Sequence, residues 1–176
     1  MNKIPFKNSI PNLSRVASLV LDCHFHDSWS ILPASPQLSA MDQFVKAFSS
    51  APAWVNACMG VRNRLARFVG IKNLGAFNKI NSAKSAYDYK PGDRIGIFTL
   101  ISNTFNEVVV GDKDKHLDVV LSVYREIQES TGAVVITVTT IVHVHNWLGR
   151  LYMIPVAPMH KIIAPSVLRA IARIEQ

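Results

Sequence analysis

The hydrophobic and polar positions near the end of the chain form its clearest pattern. Ala133 to His145 is the longest β-branched run present, and its thirteen residues predict a strand about 43 Å long. The residues after Asn146 have apolar positions at helical spacing and end in a basic tail. This pattern predicts a central strand followed by a long helix that lies back across the sheet.

Four other strand-like segments precede Ala133 to His145. Short polar turns separate the last four of the five segments. Turns of that length join antiparallel neighbours. An irregular lead-in is predicted over residues 1–16, and Ile71 to Lys90 is predicted to be a long polar loop. The predicted strands are Ala17 to Ile31, Asp93 to Ile101, Phe105 to Gly111, His116 to Ile127 and Ala133 to His145.

Two short helices are predicted after the first strand. Ser39 followed by Asp42 is a capping-box pattern that opens the first helix. Pro52 suits the first turn of the second helix. The apolar stripe expected to be buried on the second helix is Trp54, Cys58, Val61, Leu65 and Phe68.

The order of these elements predicts an α+β fold. One antiparallel sheet curled around a long C-terminal helix satisfies it, which is the helix-grip arrangement. The length suits a single domain over residues 1–176, with the lead-in at its start.

Composition narrows the possible roles. We expect no membrane span, because no uncharged apolar run approaches about 20 residues, and a cytoplasmic location, because no export signal is present. Cys23 and Cys58 are interpreted as reduced core residues.

The net charge of +7 permits binding to nucleic acid or an anionic surface through Arg62, Arg64 and Arg67, but we favour a basic surface that binds no nucleic acid. The oligomeric state is left open.

Several short motifs occur together in the second half of the chain. They are Gly92 to Phe98, Glu107 to Gly111, Asp114 to Asp118, Thr140 to Asn146, Gly149 to Tyr152 and Pro158 to His160. In this order they resemble a bacterial domain-of-unknown-function family, number 2867, over roughly Leu21 to Ala172. That family is similar to the START-like (SRPBCC) superfamily. The resemblance implies a START-like domain over residues 17–176 that binds small molecules between sheet and helix, and it transfers no catalytic residue.

The candidate ligand-binding residues lie on the last strand, the last helix and nearby strands. Tyr152 and His160 are eight residues apart on the helix and would be the polar anchors of an apolar or amphipathic molecule. Thr140 and Val142 would face the same space. The further candidates are Glu107, His116, Asp118 and Arg150. No cofactor is expected.

The alternative is a small-molecule enzyme of the cyclase or hydratase kind. It would use Glu107, His116, Asp118 and His160, because a carboxylate beside a histidine can perform acid–base chemistry. We favour a structural network for the first three of these residues.

Two His-x-His pairs have a spacing that metal sites use. His24 and His26 share one face of the first strand, and His143 and His145 share one face of the last. Asp22 is the one carboxylate near either pair that could add a ligand, and no other carboxylate or cysteine completes them in sequence, so we predict that no metal is bound.

Overall fold

A single seven-stranded antiparallel sheet forms the centre of the protein. The computed structural model describes residues 4–68 and 85–173, without the side chains of residues 65–68. The strand order in this part of the chain is β1-β2-β7-β6-β5-β4-β3. The strands are β1 (Phe6–Lys7), β2 (Phe25–Ile31), β3 (Arg94–Ile95), β4 (Phe98–Asn103), β5 (Glu107–Lys113), β6 (Leu117–Ile127) and β7 (Val134–Val144).

Three helices cover one face of this sheet, which is called the inner face. They are α1 (Ala40–Ser49), α2 (Ala53–Phe68) and α3 (Trp147–Leu168). Helix α1 packs on β5 and β6, and α3 packs on β2 and β7. The predicted α+β class is confirmed, with one antiparallel sheet and a long C-terminal helix, and it is consistent with a helix-grip fold.

Strand β7 holds the central place that its β-branched composition predicts. It pairs with β6 from Val134 to Val144 and with β2 from Ile136 to Val142. Successive side chains of a strand point to opposite faces. Val138, Thr140 and Val142 therefore face the helices, whereas Thr137, Thr139 and Ile141 face the other side, called the outer face. Nearly every position of β7 is buried, which requires that both faces be covered.

The N-terminal segment covers part of the outer face, and this corrects the predicted first strand. Residues Ala17–Val20 form a 3-10 turn, and the strand begins only at Phe25. Val16 and Val20 pack against Val109 and Ile141 on the outer face, which an extended continuation of β2 would not permit. The lead-in over residues 1–16 also contains the short edge strand β1.

The predicted strand from Asp93 to Ile101 is divided into two. Ile95 pairs with Phe98, so Gly96 and Ile97 form a two-residue hairpin turn between β3 and β4. Gly96 has a φ of 57°, the left-handed conformation that such a turn needs at its first position. The predicted loop over Ile71 to Lys90 lies mostly outside the described residues, and its end contains a 3-10 turn over Ala86–Asp88.

The first two helices begin where the sequence predicts. The Ser39 side chain accepts the amide N–H of Asp42, and the Asp42 carboxylate accepts the amide N–H of Ser39. The predicted buried stripe of α2 is wrong at two positions, because Trp54 is 40% exposed and Val61 is 61% exposed. Val55 and Asn63 are buried instead, so the helix is rotated relative to the prediction. The side chains of Leu65 and Phe68 lie outside the described residues.

Candidate functional site

An apolar cleft of about 730 Å³ lies between the sheet, α2 and α3. Strands β6 and β7 form its floor, and the facing sides of the two helices form its walls. Aliphatic and aromatic side chains make up most of the lining. Representative members are Leu117, Val119, Val138, Met59, Met153 and Ile163.

Helix α3 is fully buried only near its ends. Gly149 lies so close to the carbonyl oxygen of His116 that a Cβ atom there would be 2.4 Å from it. At the other end, Val167 and Leu168 are part of the main core. These three are the only buried residues of the helix, and the residues of its middle turns are half-buried or exposed.

Helix α3 also has an unusual composition. Pro155, Pro158 and Pro165 lie inside it and cannot donate to the carbonyl groups four residues earlier. Its length and apolar composition are those of a membrane-spanning helix, with 11% of the most apolar window buried. One such helix is weak evidence, because a core helix of a soluble protein has the same properties. The expectation that the chain has no membrane span therefore stays a prediction.

The first polar pair of the cleft joins α2 to α3. Arg62 Nε donates a hydrogen bond of 2.8 Å to the Tyr152 hydroxyl oxygen. The Arg62 guanidinium carbon also lies 5.3 Å from the centroid of the Tyr152 ring, which is a cation–π distance. Arg62 Nη1 donates a second hydrogen bond, to Asn63 Oδ1, which further restricts the orientation of the guanidinium group. A cation and a phenol are thereby held together at an otherwise apolar surface.

The second polar pair joins α3 to β2. His160 Nδ1 lies 2.8 Å from Asp27 Oδ2, and Trp29 Nε1 donates to the same oxygen at 3.2 Å. Asp27 is only 6% exposed, and Phe25 packs edge-on against the imidazole with ring centroids 5.8 Å apart. A carboxylate that bonds one ring nitrogen fixes the orientation of the imidazole. His160 Nε2 is then the ring atom left for a ligand.

Four of the sequence-predicted residues line the cleft. Tyr152 and His160 lie on its α3 wall, and Thr140 and Val142 lie on its β7 floor. Thr140 is directly opposite Asp27 in the β2–β7 register, which places it beside the second polar pair. The structure therefore brings these four candidates together.

Glu107 lies on the outer face and does not close the far end of the cleft. Its carboxylate accepts hydrogen bonds from the hydroxyls of Ser14, at 2.6 Å, and Ser122, at 2.8 Å. The amide N–H of Arg15 donates to both oxygens at 3.1 Å. These bonds tie the N-terminal segment to β5 and β6, which is a structural task.

His116, Asp118 and Arg150 also lie away from the cleft lining. His116 is buried, and its Nδ1 donates to the Asn146 side-chain oxygen at 3.0 Å, which connects β6 to the N-terminal cap of α3. Asp118 Oδ1 lies 3.1 Å from His145 Nε2 on the outer face, and Arg150 is exposed on α3. Strand alternation separates Asp118 from the cleft, whereas His116 precedes β6 and Arg150 is on the helix.

The histidine pairs do not gather into a metal centre in the described residues. His24 Nδ1 accepts the amide N–H of Val144, His26 lies 3.4 Å from the Cys23 sulfur, and His145 pairs with Asp118. Within residues 4–68 and 85–173, no three His, Cys, Asp or Glu side chains are placed to share an ion.

Sequence reasoning missed Arg62, which lines the cleft, and Asp27, which bonds the cleft residue His160. Asp27 alternates with Phe25 and Trp29 on β2, and a carboxylate between two aromatic residues on one strand face indicates a group that needs a hydrogen-bond partner when it is buried. Arg62 belonged to a suspected basic patch, but it is half-buried, whereas Arg64 is exposed and the Arg67 side chain lies outside the described residues.

Comparison with known protein families identifies one whose profile matches most of the chain. The profile of a family described as "protein of unknown function (DUF2867)" matches residues 19–167. The chain belongs to this family. The predicted family is thus confirmed, whereas its relation to the START-like superfamily stays a prediction.

The DUF2867 match covers every element from the 3-10 turn at Ala17–Val20 to the last turn of α3. The cleft and both polar pairs therefore belong to the family domain. Comparison with curated proteins finds no match.

Proposed function

We propose that this DUF2867 protein binds an apolar or amphipathic small molecule in the cleft between the sheet, α2 and α3. The observation that carries the proposal is the size and lining of the cleft. Its volume of about 730 Å³ falls among the roughly 300–1,000 Å³ typical of small-molecule sites. Such sites combine mostly apolar walls with a few fixed polar groups.

The two polar pairs suggest how a ligand would be oriented. Arg62 and Tyr152 offer a cation and a hydroxyl, so they suit an oxygen-bearing end of the molecule. His160, held by Asp27, offers one ring nitrogen to a second polar group. The aliphatic side chains between them would bury the hydrocarbon part.

Cys58 provides a direct test, because it lines the cleft and Cys23 does not. A saturating environment-sensitive dye, anilinonaphthalene sulfonate, should slow the alkylation of Cys58 by iodoacetamide and leave the rate at Cys23 unchanged. Burial raises the pKa of the Cys23 thiol, so this internal control should react slowly at neutral pH and faster as the pH rises. Mass spectrometry of tryptic peptides reads both rates.

A cleft-filling variant sharpens this test. Val142→Trp places an indole on the cleft floor and should abolish dye binding of micromolar affinity, roughly −8 kcal/mol. Ile127→Trp, at a position that is 55% exposed and outside the cleft lining, is the matched control and should bind the dye as the wild type does. Equal protection of Cys58 in wild type and Val142→Trp would refute a site in the cleft.

A second candidate function is a small-molecule enzyme, and the Asp27–His160 pair is the observation that favours it. An imidazole oriented by a buried carboxylate is an arrangement that serves general-base catalysis. Of the four residues suggested for this role from sequence, only His160 lines the cleft, so Asp27 replaces Glu107, His116 and Asp118.

Incubation of the protein with a bound ligand, followed by mass spectrometry, distinguishes catalysis from binding alone. A ligand that wild type converts and His160→Gln binds unchanged would establish catalysis, and a ligand that wild type leaves unaltered would support binding alone.

A further inference from the structure

The side of α3 that points away from the cleft is apolar and exposed. This outer side of α3 consists of Trp147, Ile154, Pro158 and Ile162, which recur at helical spacing. Trp147 is 70% exposed, Ile154 69% and Ile162 56%. A helix at the surface of a globular domain normally presents polar residues there.

The charges on α3 are all of one sign. The helix contains no aspartate or glutamate, and Arg150 and Lys161 are both exposed. At 100° per residue, these two cations fall on the same edge of the outer side, roughly 60–80° from its centre. Arg169 follows at the C-terminal cap and is also exposed. An apolar strip with a cationic border and a tryptophan at one end is the pattern of a helix that lies in the membrane interface.

We infer that the outer side of α3 docks on the surface of an anionic lipid bilayer, with the helix parallel to the membrane plane. The apolar strip would enter the boundary between headgroups and acyl chains, and Arg150 and Lys161 would meet anionic headgroups. The inference rests on the exposed side of the helix and is independent of what the cleft binds.

Docking on the surface fits the structure better than spanning does. Val167 and Leu168 are buried in the main core, and Asn146 ties the start of α3 to His116 and to the Lys115 carbonyl group. A spanning helix would have to break these contacts and leave the inner face of the sheet open to water. Docking through the outer side leaves all of them intact.

A second copy of the chain is a less suitable occupant of this surface. Pairing two outer sides of α3 would bring together two copies of Arg150 and Lys161, and the helix offers no carboxylate to compensate them. The net charge of +7 adds to this repulsion. An anionic membrane surface complements the same charges.

Vesicle flotation tests the inference with the purified protein. Wild type should float with phosphatidylcholine vesicles that contain phosphatidylglycerol, and much less with phosphatidylcholine alone. Each cation near such a surface contributes about a fivefold gain in binding. The double variant Arg150→Gln/Lys161→Gln should therefore bind the anionic vesicles about 25-fold more weakly, and added salt should also weaken wild-type binding.

The apolar strip is tested by a matched pair of double variants. Ile154→Glu/Ile162→Glu should abolish flotation, because two carboxylates cannot enter the acyl boundary next to anionic headgroups. Leu21→Glu/Ile127→Glu changes two apolar residues outside α3 that are 88% and 55% exposed, and it should float as wild type does. Val142→Trp, which fills the cleft, should also float normally, so a failure of the proposed cleft ligand would be distinguishable from a failure of docking.

Three results would overturn the inference. The first is that wild type does not float with anionic vesicles. The second is that sedimentation in the absence of lipid shows a dimer which Ile154→Glu/Ile162→Glu converts to a monomer, since a second copy would then cover the strip. The third is that this variant melts well below wild type without lipid, which would mean that the strip is covered within the chain itself.

Discussion

Helices α1 and α3 lie on the same face of one sheet and are packed very differently. Six of the ten residues of α1 are buried, whereas three of the twenty-two residues of α3 are. Under α1, the rings of Phe44, Phe48 and Phe98 are in mutual contact, with centroid separations of 4.5–6.4 Å. Under the middle of α3, the corresponding space is the cleft.

The difference follows from how apolar residues are distributed around each helix. The apolar residues of α1 form one stripe, so contact with β5 and β6 buries all of them except Val45, which is half-buried. Helix α3 is apolar on nearly every side, and one sheet can cover only one of them. The sealed end of the inner face therefore provides stability, and the open end leaves two apolar surfaces available for ligands or partners.

The largest expected effect is the difference in stability between a side-chain truncation in α1 and one in α3. Phe44→Ala removes a fully buried ring from the sealed end and should lower the free energy of unfolding by about 3–5 kcal/mol. Ile154→Ala removes an exposed side chain from α3 and should change it by about 0.5 kcal/mol or less. Urea denaturation measures both. Comparable losses would mean that the outer side of α3 is packed in solution.

The next effect concerns the contact that holds the start of α3. Gly149→Ala places a Cβ atom 2.4 Å from the His116 carbonyl oxygen and 2.8 Å from a Val144 methyl group, so the helix must move. We expect a loss of about 1–3 kcal/mol from this overpacking. Gly60→Ala is the control in α2, where nothing lies within 4 Å, and it should stabilise the protein by about 0.5–1 kcal/mol. A neutral Gly149→Ala would show that α3 is not held at its first turn.

The smallest expected effect is the loss of stability when the N-terminal cap of α1 or of α3 is removed. The Ser39 hydroxyl accepts the Asp42 amide N–H, and the Asn146 side-chain oxygen accepts the Gly149 amide N–H. Ser39→Ala and Asn146→Ala should each cost about 1 kcal/mol. Amide hydrogen exchange should distinguish them, because Gly149 is the only buried residue in the first turns of α3, which should open locally in Asn146→Ala. If the amides of α1 in Ser39→Ala and of α3 in Asn146→Ala were equally protected from exchange, this would contradict a loosely packed α3.

Local sequence patterns were sufficient for the elements that depend on neighbouring residues. The capping box at Ser39, the helix start at Pro52 and the strands around β6 and β7 follow from hydrogen bonds and alternation within a few residues. Spacing also placed Tyr152 and His160 on one side of the last helix, because eight residues are close to two turns.

Tertiary structure alone decided which faces are covered and what meets across them. Alternation groups the residues of a strand by face but does not say which face lies under the helices, so Glu107 and Asp118 could not be separated in advance from Thr140 and Val142. The pairing of Asp27 with His160 depends on a contact between residues 133 positions apart. The cleft also depends on contacts of α3 with residues distant in sequence. These are Gly149 at the His116 carbonyl group, His160 at Asp27, and Val167 and Leu168 in the main core, and no local sequence pattern predicts them.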